Sequence, residues 1–410
     1  MIDKNIRKNI FKNIKDISDI IVVEDASPAF NNKTYNDAFE SYDNIVIYGA
    51  DNIIEFHKLI DSVWLRNKLI ADHFTRKKVL LEIIKLASLK EDLKNQDVYK
   101  WIDSIVEKEA KSYWIYKEIM GAELSENRVV ELGSFCIVDK NQHKDYIINE
   151  CAHILSNWDS IRKHCTGNLL IGVKVSVKNI DRGYELANKQ FELFENIIKF
   201  IVPNNKKKEI SIVSRIGYTF ERFLAINDTF YGTNNSMTLK GLEPIDFNSS
   251  FFSDTDNWIH NIFDLLEKEK KTNFEDRIIN AIDWVGKGLK EIDIAKGFVQ
   301  LMISIESLLN HRGDGFIEPS ILSKISEYIA FTLGADYSSR IKLEKDFKYL
   351  YGIRSTIVHG RPKSVSIADF MLLKYIVIKL IWTFIKNEEL YNCKTIENYN
   401  EWIKKKRYSF

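Results

Sequence analysis

Two side chains in the segment Tyr351-Gly352-Ile353-Arg354-Ser355-Thr356-Ile357-Val358-His359-Gly360-Arg361-Pro362 suit acid–base chemistry at a phosphate: Arg354 and His359. A guanidinium fork matches phosphate oxygens two at a time and can stabilise charge that develops during reaction. An imidazole gives and takes a proton near neutrality. Gly360 and Pro362 predict a helix that ends just after His359, where the macrodipole favours a cationic side chain. Tyr351, Ser355 and His359 are spaced i, i+4, i+8 and share one helix face. Arg354 lies about 140° around the helix from His359, at about 3.6 residues per turn. The two do not converge easily on a straight isolated helix. A long arginine, a frayed helix end or a second subunit would bring them to one phosphate.

The spacing alone is weak, because Arg–His pairs at a fixed separation also arise by chance. Arg66 and His73 form such a pair, seven positions apart, and a solvated polar stripe on one helix explains them. Cys151 with His153 and His164 with Cys165 offer soft metal ligands, but neither spacing matches the usual zinc pattern, so no metal is expected. Lys206–Lys208 and Lys404–Arg407 are basic runs whose plainest reading is a solvated loop and a solvated tail. Tyr351 and Trp284 read as core aromatics. Glu306 sits among Met302, Ile303, Ile305, Leu308 and Leu309, so a buried carboxylate there needs a partner, and Arg354 is a candidate.

The elements that must position these residues fall into two halves, an α+β architecture. The first half, residues 1–250, reads as mixed α and β with a small sheet, and a break near 125–165 is compatible with two subdomains. Strands are expected at Asp19–Val23, Asn44–Tyr48, Val129–Val138, Leu169–Val177, Ile210–Tyr218 and Ser236–Leu242, where apolar and β-branched residues cluster or alternate. Helices are expected over Ile53–Leu93, over Asp145–Trp158, and from a cap at Asp181 to about Phe200. No phosphate-binding glycine loop follows any strand. Pro244–Asn257 reads as a linker. The second half, 258–410, reads as helical throughout: Asn257–Lys270, Phe274–Lys290, Ile292–Asn310, a helix from Pro319 to near Gly334, Ser338–Gly360 and Ile367–Tyr391, an antiparallel bundle.

Composition agrees with a folded chain of two or three domains: 410 residues, 45% apolar and 29% charged, with only five prolines and 17 glycines. The net charge of +1, from 59 basic and 58 acidic residues, does not announce a nucleic-acid binder. Leu372–Ile385 is interrupted by Lys374 and Lys379, which argues against a membrane span. The start, MIDKNIRKNIFKNIKD, lacks an apolar signal core. The four cysteines are therefore expected as reduced thiols in a cytoplasm.

Arg354-Ser355-Thr356-Ile357-Val358-His359 resembles the Arg-x4–6-His signature of HEPN domains. Ala281–Leu289 and Phe298–Leu309 look like the first two helices of Apea-like HEPN proteins, and the likeness covers about residues 272–391. It extends weakly to residues 168–218. The resemblance implies a four- or five-helix bundle, commonly dimeric, with two motifs meeting in a cleft. It implies a metal-independent endoribonuclease of toxin, abortive-infection or anti-phage defence type, with RNA, including tRNA, as substrate and no cofactor. Arg354 and His359 would be the catalytic pair, with Ser355, Glu306 and Tyr351 in support. Active members often carry Asn, Asp or His where this chain has Ser355. The first half would then sense or regulate, answering a phage-derived trigger or another partner. The alternative is a non-catalytic HEPN scaffold that binds RNA or dimerises.

Overall fold

The computed structural model describes residues 3–23, 39–126, 128–148, 168–203, 208–212, 220–227, 230–237, 243–254, 258–309, 321–360 and 365–408. A region of short strands and helices is followed by a stretch of long helices. The chain forms two compact units, residues 1–115 with 174–188, and residues 116–173 with 189–410.

The first unit begins with α1 (Lys4–Ile20), whose Ile10, Ile14 and Ile17 recur at helical spacing and are buried. Strands β1 (Val22–Val23), β2 (Phe39–Tyr42) and β3 (Ile45–Tyr48) form an antiparallel sheet in the order β1-β3-β2. Helices α2 (Ala50–Trp64), α3 (Lys68–Ala71), α4 (Arg76–Ala87) and α5 (Asn95–Glu107) follow. Phe56, Ile60, Ile83, Val98 and Ile102 are fully buried and close a core with α1. The expected strand at Asp19–Val23 shrinks to two residues, because the apolar spacing of α1 carries the helix through Ile20.

The chain continues with β4 (Lys111–Glu118), β5 (Ala122–Glu123), β6 (Val130–Leu132), β7 (Phe135–Asp139), α6 (Lys144–Ile148), β8 (Leu169–Val177) and α7 (Ile180–Ile201). Four strands form a sheet in the order β4-β8-β7-β6. The expected strand at Val129–Val138 is a hairpin, since Gly133 takes φ 58° and reverses the chain between β6 and β7. β8 matches its expected bounds and pairs antiparallel with β7, Phe135 opposite Val173 and Asp139 opposite Leu169. The side-chain cap of α7 comes from Asn179, whose Oδ1 accepts the Arg182 N–H at 3.3 Å, and not from Asp181. The helix expected over Asp145–Trp158 is seen as α6, and its continuation lies outside the described residues.

β9 (Phe220–Asn227) and β10 (Phe230–Met237) form an antiparallel hairpin. Of the strand expected at Ile210–Tyr218, Ile210–Ile212 carry one isolated bridge, Met120 with Ser211, and the rest lies outside the described residues, as does Thr238–Leu242. The expected linker at Pro244–Asn257 is structured. β11 (Ile245–Asp246) pairs parallel with β5, and α8 (Ser250–Ser253) follows. Phe247 and Phe252 anchor the segment at 1% and 3% exposure. Asp246 accepts hydrogen bonds from the Ser125 N–H and Oγ at 3.1 and 2.7 Å.

The long helices are α9 (Ile259–Glu267), α10 (Asn273–Lys290), α11 (Ile294–Leu309), α12 (Ile321–Leu333), α13 (Tyr337–Val358), α14 (Ile367–Lys386), α15 (Glu388–Tyr391) and α16 (Ile396–Tyr408). α10 starts in a capping box: Thr272 Oγ1 accepts the Glu275 N–H at 3.3 Å and Glu275 accepts the Thr272 N–H at 2.8 Å. α11 is the central helix; Phe298, Leu301, Met302, Ile305 and Leu308 are fully buried. The Lys404–Arg407 run is the last turn of α16, not a tail, because buried Tyr399 and Ile403 seat that helix on the bundle.

The second unit includes the C-terminal half of α7 together with the bundle. A division near residue 250 is therefore not where the compact units part. A Cβ on Gly286 of α10 would lie 2.4 Å from the Asn196 backbone, so the two helices touch at that glycine. Asn196 donates to Asp283 at 2.7 Å, and Lys290 pairs with the buried Glu195 at 3.1 Å.

Candidate active site

α13 has 22 residues yet buries only Phe347, Leu350 and Ile353, so it lies on the bundle as a surface helix. Its start is capped by Asp336, which accepts the Ser339 N–H at 2.8 Å. Its end falls where Gly360 predicts. His359 is the C-cap residue, its N–H bonding the Ser355 carbonyl at 3.1 Å. Gly360 has φ 70°, the left-handed conformation that glycine adopts without strain. Pro362 lies outside the described residues.

The structure brings Arg354, Glu306 and Tyr351 together. Arg354 Nη2 stands 3.2 Å from Glu306 Oε2, with side chains 25% and 18% exposed. The Arg354 guanidinium lies 5.7 Å from the centre of the Tyr351 ring. Burial first, and then the negative charge of Glu306, pushes the Tyr351 phenol up from its ordinary value. The ion pair is made at one point only. Arg354 Nε and Glu306 Oε1 are both closed off from solvent, and neither has a hydrogen-bond partner among the described residues. Such atoms are uncommon in a packed interior.

His359 looks elsewhere. It is exposed, one end of the face it shares with the half-buried Tyr351 and Ser355, while Arg354 turns toward α11. The angular separation expected of an isolated helix is thus kept within one chain. The aromatic pair expected in the core, Tyr351 and Trp284, is half-buried in both cases. Lys287 lies over the Trp284 ring at 5.2 Å. Arg277, which the sequence does not single out, donates from Nη1 to the Ser307 carbonyl at 3.1 Å, beside Glu306.

The competing pair separates. Arg66 sits in the turn after α2, and His73 follows the one-turn helix α3, so no single helical face joins them. Burial, and then the nearby Lys178, holds the His73 imidazole below its usual range. Cys151, His153, His164 and Cys165 lie outside the described residues. Among the described residues no group of three or more His, Cys, Asp and Glu is placed to hold a metal ion. A cleft of about 420 Å³ is lined by Glu118, Glu123, Glu126 and Asp139 without forming such a group. Among the described residues no helix is long and apolar enough to cross a membrane.

A second polar constellation was not legible in the sequence beyond the i, i+4 spacing of His57 and Asp61. In the first unit, His57 Nε2 lies 2.9 and 3.0 Å from the Glu40 oxygens. Arg76 Nη2 lies 2.9 Å from His57 Nδ1, and Arg76 Nε donates to Asp61 at 2.6 Å. Arg76 can only donate, so Nδ1 accepts and Nε2 carries the proton toward Glu40. Tyr42 donates to Glu40 at 3.0 Å, and its phenol is pushed up to about 12 by burial and by that carboxylate. Both imidazole nitrogens are engaged, so His57 braces β2 against α2 and α4 and has no lone pair left for catalysis.

Comparison with known proteins returns no match: no protein-family model, no curated protein and no solved structure matches this chain.

Proposed function

We propose that the helical stretch acts as a HEPN-type endoribonuclease that needs no metal, working as a homodimer in a toxin or anti-phage defence role. The observation that carries this reading is the placement of Arg354 and His359 near the end of one surface helix, with Arg354 braced by Glu306 and Tyr351. In this scheme the ribose 2′-oxygen attacks the adjacent phosphorus as its proton leaves. The bond to the 5′-oxygen breaks, and that oxygen takes up a proton. The product is a 2′,3′-cyclic phosphate and a free 5′-hydroxyl. His359 handles one of the two protons, and Arg354 holds the phosphate as charge builds on its oxygens. The nucleophile belongs to the RNA, so no metal-activated water is required.

The second copy would dock through the exposed face of α13 that carries His359, while Arg354 of each copy stays turned toward its own α11. Tyr337, Ile341, Tyr349, Gly352 and His359 fall within an arc of about 120° on α13, by the helical repeat. That face is exposed: Tyr337 80%, Ile341 48% and Tyr349 55%. A Cβ on Gly352 would meet nothing within 4 Å. Two such faces packed together would place both His359 residues at the seam.

The test is incubation of the purified protein with total RNA, with chelator and without added metal, followed by mapping of the cut ends. Cyclic-phosphate ends that vanish in His359→Ala and Arg354→Ala, with folding intact, are expected. Equal cleavage by all three proteins, or strict magnesium dependence, would overturn the reading. A scaffold that binds RNA without cutting it is favoured by one observation, the Glu306 carboxylate already engaging Arg354. RNA binding without any cut ends would select it.

A further inference from the structure

We propose that Glu306 is an internal anion that competes with phosphate for Arg354, and that Tyr351 takes over the carboxylate when phosphate displaces it. This rests on the reading of Arg354 as the phosphate-holding residue.

Three features carry the inference. First, the ion pair is incomplete. An Arg–carboxylate pair gains most when two parallel N–H···O bonds form. Here one contact of 3.2 Å is made, and Arg354 Nε and Glu306 Oε1 stay unsatisfied out of reach of solvent. A pair that leaves a donor and an acceptor unmet costs less to exchange than one that satisfies both. Second, the charges cancel. A guanidinium joined to a carboxylate presents little net positive charge to a phosphodiester, so phosphate must displace Glu306 to gain the full interaction. Third, the displaced carboxylate has a place to go. Left alone among the apolar side chains of α11 it would be costly. The Tyr351 phenol already stands beside both members of the pair: its ring underlies Arg354, and its hydroxyl makes a weak hydrogen-bonding contact with Glu306 that can strengthen when Arg354 is taken away. Tyr351 therefore has a role beyond packing, as the donor that receives Glu306 in the phosphate-bound state.

A merely supporting Glu306 makes the opposite prediction. If its task is to orient Arg354 for phosphate, removing its charge should weaken binding. If it competes, removing its charge should strengthen binding.

The experiment measures fluorescence anisotropy of a labelled single-stranded RNA, fully 2′-O-methylated so that it cannot be cleaved, against the full chain at fixed salt. Glu306→Gln keeps the shape and removes the charge. It is expected to bind about tenfold more tightly than wild type, the factor given by about 1.4 kcal/mol. Tyr351→Phe is expected to bind several-fold more weakly, and to have little effect once Glu306→Gln is present. Glu306→Asp, with its carboxylate withdrawn by one methylene, is expected to fall between wild type and Glu306→Gln, and it serves if Glu306→Gln fails to fold. Weaker or unchanged binding by the Glu306 variants, while Arg354→Ala weakens binding, would overturn the competition and leave the reading of Arg354 standing. Unchanged binding by Arg354→Ala would overturn that reading as well, as would a wild type that binds no RNA.

Discussion

A single methyl group added to Gly286 should loosen the second unit measurably. In Gly286→Ala the new Cβ would lie 2.4 Å from the Cα, Cβ and O atoms of Asn196, where ordinary contact needs about 3.5–4.0 Å. Two of those three atoms are backbone, so no rotamer change relieves the clash and α10 must move away from α7. Overpacking of this kind costs about 1–3 kcal/mol. Separation also strains the Asn196–Asp283 hydrogen bond and the Lys290–Glu195 ion pair, the latter with a 2% exposed carboxylate, adding about 1 kcal/mol. Alanine recovers up to about 1 kcal/mol of helix propensity. The net expectation is a loss of about 2 kcal/mol, or a Tm lower by about 3–4 °C for a unit of this size. The control is Gly352→Ala in α13. There nothing lies within 4 Å, so only the propensity gain remains and stability should rise by up to about 1 kcal/mol. Differential scanning calorimetry of both variants makes the comparison. Equal melting temperatures for the two would refute the account of the α7–α10 contact.

Gly352→Trp, placed in the middle of the exposed face of α13, is expected to leave the fold intact and, if the proposed dimer forms through that face, to convert it to monomer in light scattering after gel filtration; a wild type that is itself monomeric would refute the proposed dimer. At the start of α10, burial pushes the Glu275 carboxyl upward, but hydrogen bonds from Lys268 and Thr272 bring it below the usual carboxylate range. A group whose folded value is lowered adds stability that is present above its ordinary range of about 4.3 and is lost as pH falls through the folded value. The stability gap between wild type and Glu275→Gln should therefore be largest near neutrality and shrink below about pH 4, as read by urea unfolding across pH. His57→Ala removes the partner of both Glu40 and Arg76, groups about one third exposed, and should cost the first unit about 1 kcal/mol in urea unfolding.

Residues 168–178 and 272–360 show how far local pattern reaches. The alternation of branched residues through Leu169–Val177 marks β8 to the residue, and Thr272 with Glu275 opens α10 where the helical spacing begins. Gly360 ends α13, because a left-handed residue is a local demand that glycine meets. Local signals misread Asp19–Val23 and Val129–Val138 because a short apolar run does not say whether it extends a helix, forms a strand or folds back on itself. They misread Pro244–Asn257 because Phe247 and Phe252 find a core that composition does not reveal. The last turn of α16 was missed as a helix because its charges hide the buried Tyr399 and Ile403.

By itself the sequence determined where the helix carrying Arg354 and His359 ends and that the two would diverge, since both follow from backbone hydrogen bonding and a repeat of about 3.6 residues. It also left Glu306 in need of a partner, because a carboxylate on an apolar helix cannot stay alone. Only the tertiary structure decided that Arg354, 48 positions along the chain, is that partner. It also decided that the pair is made at a single point and that His359 faces outward. Packing of α13 on α11 fixes those choices, and no spacing along the chain encodes the distance between two helices.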